Sequence, residues 1–189
     1  MKTFEEIYQI VEESSHETAF NKEECQALYD TLLKLPLKAI IVEIGVEYGR
    51  STSVIAEIGK EKDFDFTAID NWCQANSEEA KAHVYSQKEK HQWKFKLISG
   101  DSVKEAKDFK KKINLIHIDG DHEYEAVLKD IKAWLPKVEC GGFACFDDYG
   151  HDSLPGIYKA TEEYMQSYAG KSWNFIGRFG NKLGIFQKI

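Results

Sequence analysis

Ala39-Ile40-Ile41-Val42-Glu43-Ile44-Gly45-Val46-Glu47-Tyr48-Gly49-Arg50-Ser51-Thr52 is the stretch whose reading decides the fold. Ala39 to Ile44 is a nearly unbroken apolar run, the pattern of a strand buried on both faces and therefore of a parallel sheet. Gly45 ends the run and Gly49 follows. Arg50 to Gly59 then reads as a helix with Val54, Ile55 and Ile58 on one face. Strand, glycine turn and helix make either an ordinary connection or a small-molecule cradle. In a cradle, bare backbone approaches a ligand and the free N–H groups of a helix start point at it.

Toward the amino terminus, Phe4, Ile7, Tyr8 and Val11 fall at helical spacing, which predicts a helix over about Thr3 to Glu13. Asn21 followed by Glu24 has the form of a capping box. It opens a second helix through Ala27, Leu28, Leu32 and Leu35, closed by Pro36. Residues 1–36 thus form a helical extension of a single domain spanning 1–189, with its core over 38–189.

Toward the carboxyl terminus, strands and helices alternate. Phe64 to Ile69 is a strand ending in Asp70, Asn76 to Gln92 is helix-prone, and Phe95 to Ser99 is a strand closing on Gly100-Asp101-Ser102. Ile113 to Ile118 discharges into Asp119-Gly120-Asp121-His122 and a helix to about Leu135. Gly141 to Phe146 discharges into Asp147-Asp148-Tyr149. Pro155 to Ala169 is a helix, and Trp173 to Phe179 with Leu183 to Gln187 is a hairpin about Gly180-Asn181. The pattern predicts an α/β fold: a doubly wound, mostly parallel, seven-stranded sheet with a carboxyl-terminal antiparallel hairpin and ligands at the strand carboxyl ends.

The chain has 189 residues with 42% apolar content, ample for a core. Its net charge of −7 argues against nonspecific binding to a phosphate backbone, so nucleic acid is not expected as a partner. Lys107 to Lys112 is the most basic patch and reads as a solvated helix end. The start of the chain lacks an apolar signal core, and no apolar run is long enough to cross a bilayer. A cytoplasmic protein with no membrane partner is expected. Cys25, Cys73, Cys140 and Cys145 are too scattered for a disulfide framework or a zinc site and read as reduced thiols, mostly packing. A small-molecule substrate is expected, and a homo-oligomer is allowed.

Acidic residues collect where ligands should lie. Asp70, about 20 residues past the glycine turn, is placed to accept from a ribose diol or simply to end a strand. Trp72 either stacks on a base or seals the core edge. Asp101 can accept from an exocyclic amine, and Ser102 can cap the next helix. Asp119, Asp147 and Asp148 come from two strand ends that the topology can make neighbours. Clustered carboxylates of this kind suit a hard cation such as Mg²⁺, the alternative being caps and loop anchors.

Taken together, Glu43-x-Gly45-x-x-x-Gly49, Asp70, Gly100-Asp101, Asp119-Gly-Asp-His122, Asp147-Asp148 and the final hairpin resemble a class I S-adenosylmethionine-dependent methyltransferase. The likeness is greatest to small bacterial metal-dependent O-methyltransferases of the macrocin and catechol type. The resemblance implies a Rossmann-like fold and S-adenosylmethionine as cofactor. It implies Glu43, Gly45 and Gly49 along the methionine part of the cofactor, Asp70 on the ribose and Asp101 on the adenine amine, with Ser51, Trp72 and Ser102 among the cofactor contacts. Asp119 would face both the cofactor and the metal, with Asp147 and Asp148 completing the metal site. Catechol-type enzymes carry a lysine base three residues after the first acid, and here that position is His122. His122 or Asp121 is therefore the expected base, although His122 can also cap or pack at a helix start. A binding module without turnover and a metal-independent N-methyltransferase are the alternatives. A nicotinamide-dependent dehydrogenase ranks lower, because the turn lacks the closely spaced glycines of a pyrophosphate site.

Overall fold

The computed structural model of the chain describes residues 2–14 and 20–189. Its strands are β1 (Ile40–Ile44), β2 (Asp65–Asp70), β3 (Lys96–Ser99), β4 (Ile113–Ile118), β5 (Val138–Phe146), β6 (Trp173–Phe179) and β7 (Leu183–Lys188). They form one sheet in the order β3-β2-β1-β4-β5-β7-β6. The first five strands run parallel, while β7 is antiparallel to both β5 and β6. The seven-stranded, doubly wound α/β sheet with its terminal hairpin is as the sequence pattern predicts. The order reverses at β1, so the ends of β1 and β4 flank the switch point where such sheets take ligands.

Helices α1 (Phe4–Ser14), α2 (Lys22–Leu33), α3 (Arg50–Lys62), α4 (Ser77–Lys90), α5 (Ser102–Asp108), α6 (Tyr124–Trp134) and α7 (Pro155–Gln166) cover the two faces. Strand side chains alternate between them with period two. Ile41, Leu115, Cys145 and Ile185 pack with Val11, Leu28 and Ile55 of α1, α2 and α3. Val42, Ile44, Ile116, Ala144 and Phe146 pack on the other side with Ile131, Trp134 and Ile157 of α6 and α7. Glu43 belongs by register to the first face, beside His117 of β4.

Several boundaries differ from the pattern reading. Helix α2 stops at Leu33, short of Leu35 and Pro36, where Lys62 Nζ donates to the Leu33 carbonyl at 2.7 Å. Strand β5 starts three residues before Gly141, and the register slips between Ile113–Val138 and Leu115–Phe143. Gly141 has φ +83°, and a Cβ on Gly142 would lie 2.9 Å from the Asn114 carbonyl oxygen, so this pair of glycines makes an irregularity inside the strand. Helix α7 ends at Gln166, before Ala169, and a 3₁₀ turn, Ala169–Ser172, follows. The Asn21–Glu24 capping box is present in both directions. Cys25 and Cys145 are buried, whereas Cys73 and Cys140 are exposed, so packing accounts for two of the four thiols. Among the described residues, no helix is long and apolar enough to cross a membrane.

Candidate functional site

The glycine turn is shaped by the chain's own close approaches. Gly45 has φ +84°, and a Cβ there would lie 1.8 Å from the Asp119 carbonyl oxygen. Only glycine lets the end of β1 pass the end of β4 at this distance. Gly49, with φ +78°, is the residue before α3, and its added Cβ would meet a Val84 methyl at 3.2 Å.

Asp70 holds this turn. Its Oδ2 accepts from the Val46 and Glu47 N–H groups at 2.7 and 3.1 Å, and its Oδ1 accepts from the Trp72 N–H at 2.7 Å. Glu47 and Trp72 are both in the left-handed region, at φ +48° and +54°. Such backbone is costly for residues with side chains and needs holding from outside. The Trp72 indole N–H is buried without a partner.

Beneath the turn, Glu43 is fully buried and accepts from Ser51 Oγ at 2.7 Å and Thr52 Oγ1 at 2.6 Å. These bonds tie the start of α3 to the middle of the sheet. His117 Nδ1 lies 3.6 Å from Glu43, with the ring edge-on to Phe20. Burial alone would lower the His117 pKa, but Glu43, Asp119 and Asp147 around it push it up.

At the next strand end, Asp101 is the residue that caps α5, accepting from the Lys104 N–H at 2.9 Å. Ser102 lies inside the helix and donates to the Asp130 carboxylate instead. The cap expected of Ser102 is thus made one residue earlier, where the extended backbone of Asp101 suits it. Burial pushes Asp130 up to about 6.

The acids after β4 and β5 are brought together because those strands are neighbours. Ile118 pairs with Phe146, so Asp119 and Asp147 leave the sheet side by side. Asp119, His122 and Asp148 form a group whose candidate ligand atoms all lie within 4.8 Å of one another. His122 Nε2 is 3.4 Å from Asp148 Oδ2 and 4.0 Å from Asp119 Oδ1. The His122 and Asp119 side chains are 38% and 30% exposed and Asp148 only 12%, so this shelf opens outward through the first two. Asp147 is turned away from the trio to Lys182, whose Nζ lies 3.2 Å from both Asp147 Oδ2 and Asp148 Oδ1. Its other oxygen, Oδ1, is buried and unpartnered. Asp121 is exposed and anchors the loop, accepting from the Glu123 N–H at 2.8 Å.

Electrostatics follow the crowding. Burial first, then the Asp147 charge, pushes Asp119 up to about 7. Contact with Asp119 is the main cause of a raised His122 pKa, with Asp148 and Asp147 adding to it against burial. Burial works against the Lys182 charge, yet Asp147, Asp148 and Glu24 push it up to about 12. Glu24 of α2 is fully buried, 4.0 Å from Lys182, and its own carboxyl is pushed up to about 7, mainly by burial.

Lys182, His117 and Glu24 are the residues that motif reading misses. A titratable His within the apolar run Ile113–Ile118 was a visible signal for one of them, and Lys182 directly follows the Gly180-Asn181 turn. A groove of about 820 Å³ runs between α2 and β6, lined by Phe4, Lys22, Ile176, Arg178 and Phe179 among others, and takes in none of the candidate residues.

Comparison with known proteins gives consistent matches. A family model described as "Methyltransferase domain" matches residues 42–149. A protein described as uncharacterized, R132 of Acanthamoeba polyphaga mimivirus, is 28% identical over 162 residues, covering 76% of this chain and 69% of its own length. An SAH-bound methyltransferase from Podospora anserina superposes with TM-score 0.74 at 12% identity, covering 98% of this chain and 87% of that one. The apo structure of CalS11, a TDP-rhamnose 3′-O-methyltransferase of calicheamicin biosynthesis, gives TM-score 0.62 at 18% identity over 97% and 92% of the two chains. An rRNA methylase from Streptococcus thermophilus gives 0.64 at 16% identity over 87% and 93%.

Proposed function

The chain belongs to the methyltransferase-domain family and is an S-adenosylmethionine-dependent methyltransferase, and from that premise we propose that it methylates a hydroxyl of a small molecule with the help of a divalent ion such as Mg²⁺. The observation that carries the proposal is the Asp119–His122–Asp148 shelf, set directly against the glycine turn by the contact of Gly45 with the Asp119 backbone. Two carboxylates, Asp119 and Asp148, are oxygen donors that suit a divalent ion, with the His122 imidazole left beside them to act on an acceptor, and the buried Asp147 Oδ1 nearby has no hydrogen-bond partner.

S-adenosylmethionine supplies an activated methyl group on a sulfonium, and the divalent ion supplies positive charge that acidifies an acceptor hydroxyl. The protein's share is placement. Glu43 with Ser51 and Thr52 fixes the start of α3, and Asp70 fixes the turn between the two glycines, so Gly45 and Gly49 present backbone to the methionine end of the cofactor. Asp101 and Ser102 border the next strand end, where the adenine would lie. Asp119 and Asp148 would hold the ion, and their charge favours a positive methyl donor over a dinucleotide. His122 Nε2 is the exposed base, within reach of an acceptor held on the same shelf, and takes its proton. Asp121, occupied with the loop, ranks behind it.

One observation favours a second reading. Lys182 already places a cation on Asp147 and Asp148, so transfer without a metal, driven by positioning and His122 alone, is the competing mechanism. Calorimetric titration with S-adenosylhomocysteine, followed by a turnover assay on hydroxylated small molecules in chelator and in Mg²⁺, tests the proposal. Activity that chelation leaves intact would select the second reading.

A further inference from the structure

Lys182 stands apart from every residue the motifs point to. It comes from the turn between β6 and β7, far in sequence from the acids, yet lies among three carboxylates, Glu24 of α2 and Asp147 and Asp148 of the turn after β5. Asp148 is divided between two neighbours: Oδ1 accepts from Lys182, and Oδ2 faces His122. The oxygen that completes the shelf and the oxygen held by the ammonium therefore belong to one carboxylate. The turn itself is fixed in place: Asn21 Nδ2 donates to the Gly180 carbonyl at 3.0 Å, and a Cβ on Gly180 would lie 2.5 Å from Glu24. Lys182 is thus a built-in feature, with an 86% buried side chain braced from α2.

We propose that Lys182 is the resident counter-cation of the acid shelf and competes with a divalent ion for Asp148, so that its charge sets how weakly or tightly the shelf takes the ion. The inference rests on the reading of Asp119 and Asp148, beside His122, as a divalent-ion site. An ammonium and a divalent ion sharing one carboxylate repel each other across a poorly solvated gap, and the ion must overcome that repulsion. Without the ion, Lys182 keeps Asp147 and Asp148 paired, so the shelf holds its shape.

The test is Mn²⁺ binding followed by electron paramagnetic resonance of the free ion, on the full chain, for the parent, Lys182→Met and Lys182→Arg. Methionine keeps the length and apolar stem and removes the charge, whereas arginine keeps the charge. The expected result is Mn²⁺ binding at least tenfold tighter in Lys182→Met, with Lys182→Arg within about threefold of the parent. If Lys182→Met fails to fold because three carboxylates are left facing one another, the charge-relieved Lys182→Met/Glu24→Gln variant takes its place. Binding by the charge-removed variant alone would also support the proposal, with Lys182 then excluding the ion from the parent. Parent binding that the charge-removed variant does not tighten overturns the competition while the metal reading stands. No Mn²⁺ uptake by any variant, or uptake indifferent to Asp119→Asn and Asp148→Asn, overturns the metal reading and this inference with it.

Discussion

Asp70 offers a direct test of whether an acid at a strand end serves a ligand or the chain itself. In the structure it accepts three backbone N–H groups around the glycine turn, two of them part-buried at 2.7 Å and one exposed at 3.1 Å. A hydrogen bond to a charged group contributes about 1.5–3 kcal/mol when water does not replace it. Water replaces the exposed Glu47 bond, leaving two that count. Asp70→Ala should therefore cost about 3 kcal/mol without any cofactor, and Asp70→Asn, which keeps one acceptor oxygen, about half that. For a domain of this size the alanine variant should melt roughly 6–12 °C lower. Urea unfolding and thermal melts of the cofactor-free protein measure this. An Asp70→Ala protein as stable as the parent, with only its affinity for S-adenosylhomocysteine reduced, would refute the bracing role and leave the ribose role alone.

Other predictions follow from the same geometry. Gly45→Ala, with its Cβ driven into the Asp119 carbonyl, should cost about 3 kcal/mol or more, whereas Gly49→Ala, meeting only a methyl at 3.2 Å, should cost about 1–2, both read by urea unfolding. Glu24, pushed up to about 7 from an unfolded value of 4.5, stabilises the fold only while protonated, so its contribution is present below pH 4.5 and is lost as pH rises to about 7. Unfolding free energies at pH 5 and pH 8 should accordingly fall by about 2–3 kcal/mol less in Glu24→Gln than in the parent, and equal slopes would remove Glu24 from the cause. His122→Ala should lower turnover by about 10²–10⁴ and abolish a rate that rises as the imidazole loses its proton above its ordinary pKa. An ascending limb that survives the substitution assigns the proton to another acceptor.

What the sequence shows of this protein and what it hides divide along a physical line. The five strand–helix units were legible because burial on both faces leaves apolar runs such as Ile40–Ile44 and Ile113–Ile118, and the runs of β4 and β5 end in the acids that later converge. That Asp119 and Asp147 emerge side by side could be read only as far as the topology allowed, and the pairing of Ile118 with Phe146 fixes it. Partner choice was not legible. Asp147, read as part of a metal triad, turns to a lysine 35 positions away, because a turn carried by the terminal hairpin folds over the shelf. Asp101 caps α5 in place of Ser102 because one extended backbone angle decides the cap, which residue type alone does not reveal. Glu43 and Ser51, read as cofactor contacts from the resemblance, bond to each other beneath the turn.

The most direct test of the account is turnover at the shelf. S-adenosylhomocysteine release is followed over a panel of hydroxylated small molecules, with the parent and the Asp119→Asn and Asp148→Asn variants each assayed in chelator and after Mg²⁺ is restored. A divalent-ion site on Asp119 and Asp148 predicts a methylated hydroxyl product that the parent makes only with the ion present and that both variants make at least about tenfold more slowly. Full turnover in chelator by the parent and by both variants alike would contradict it.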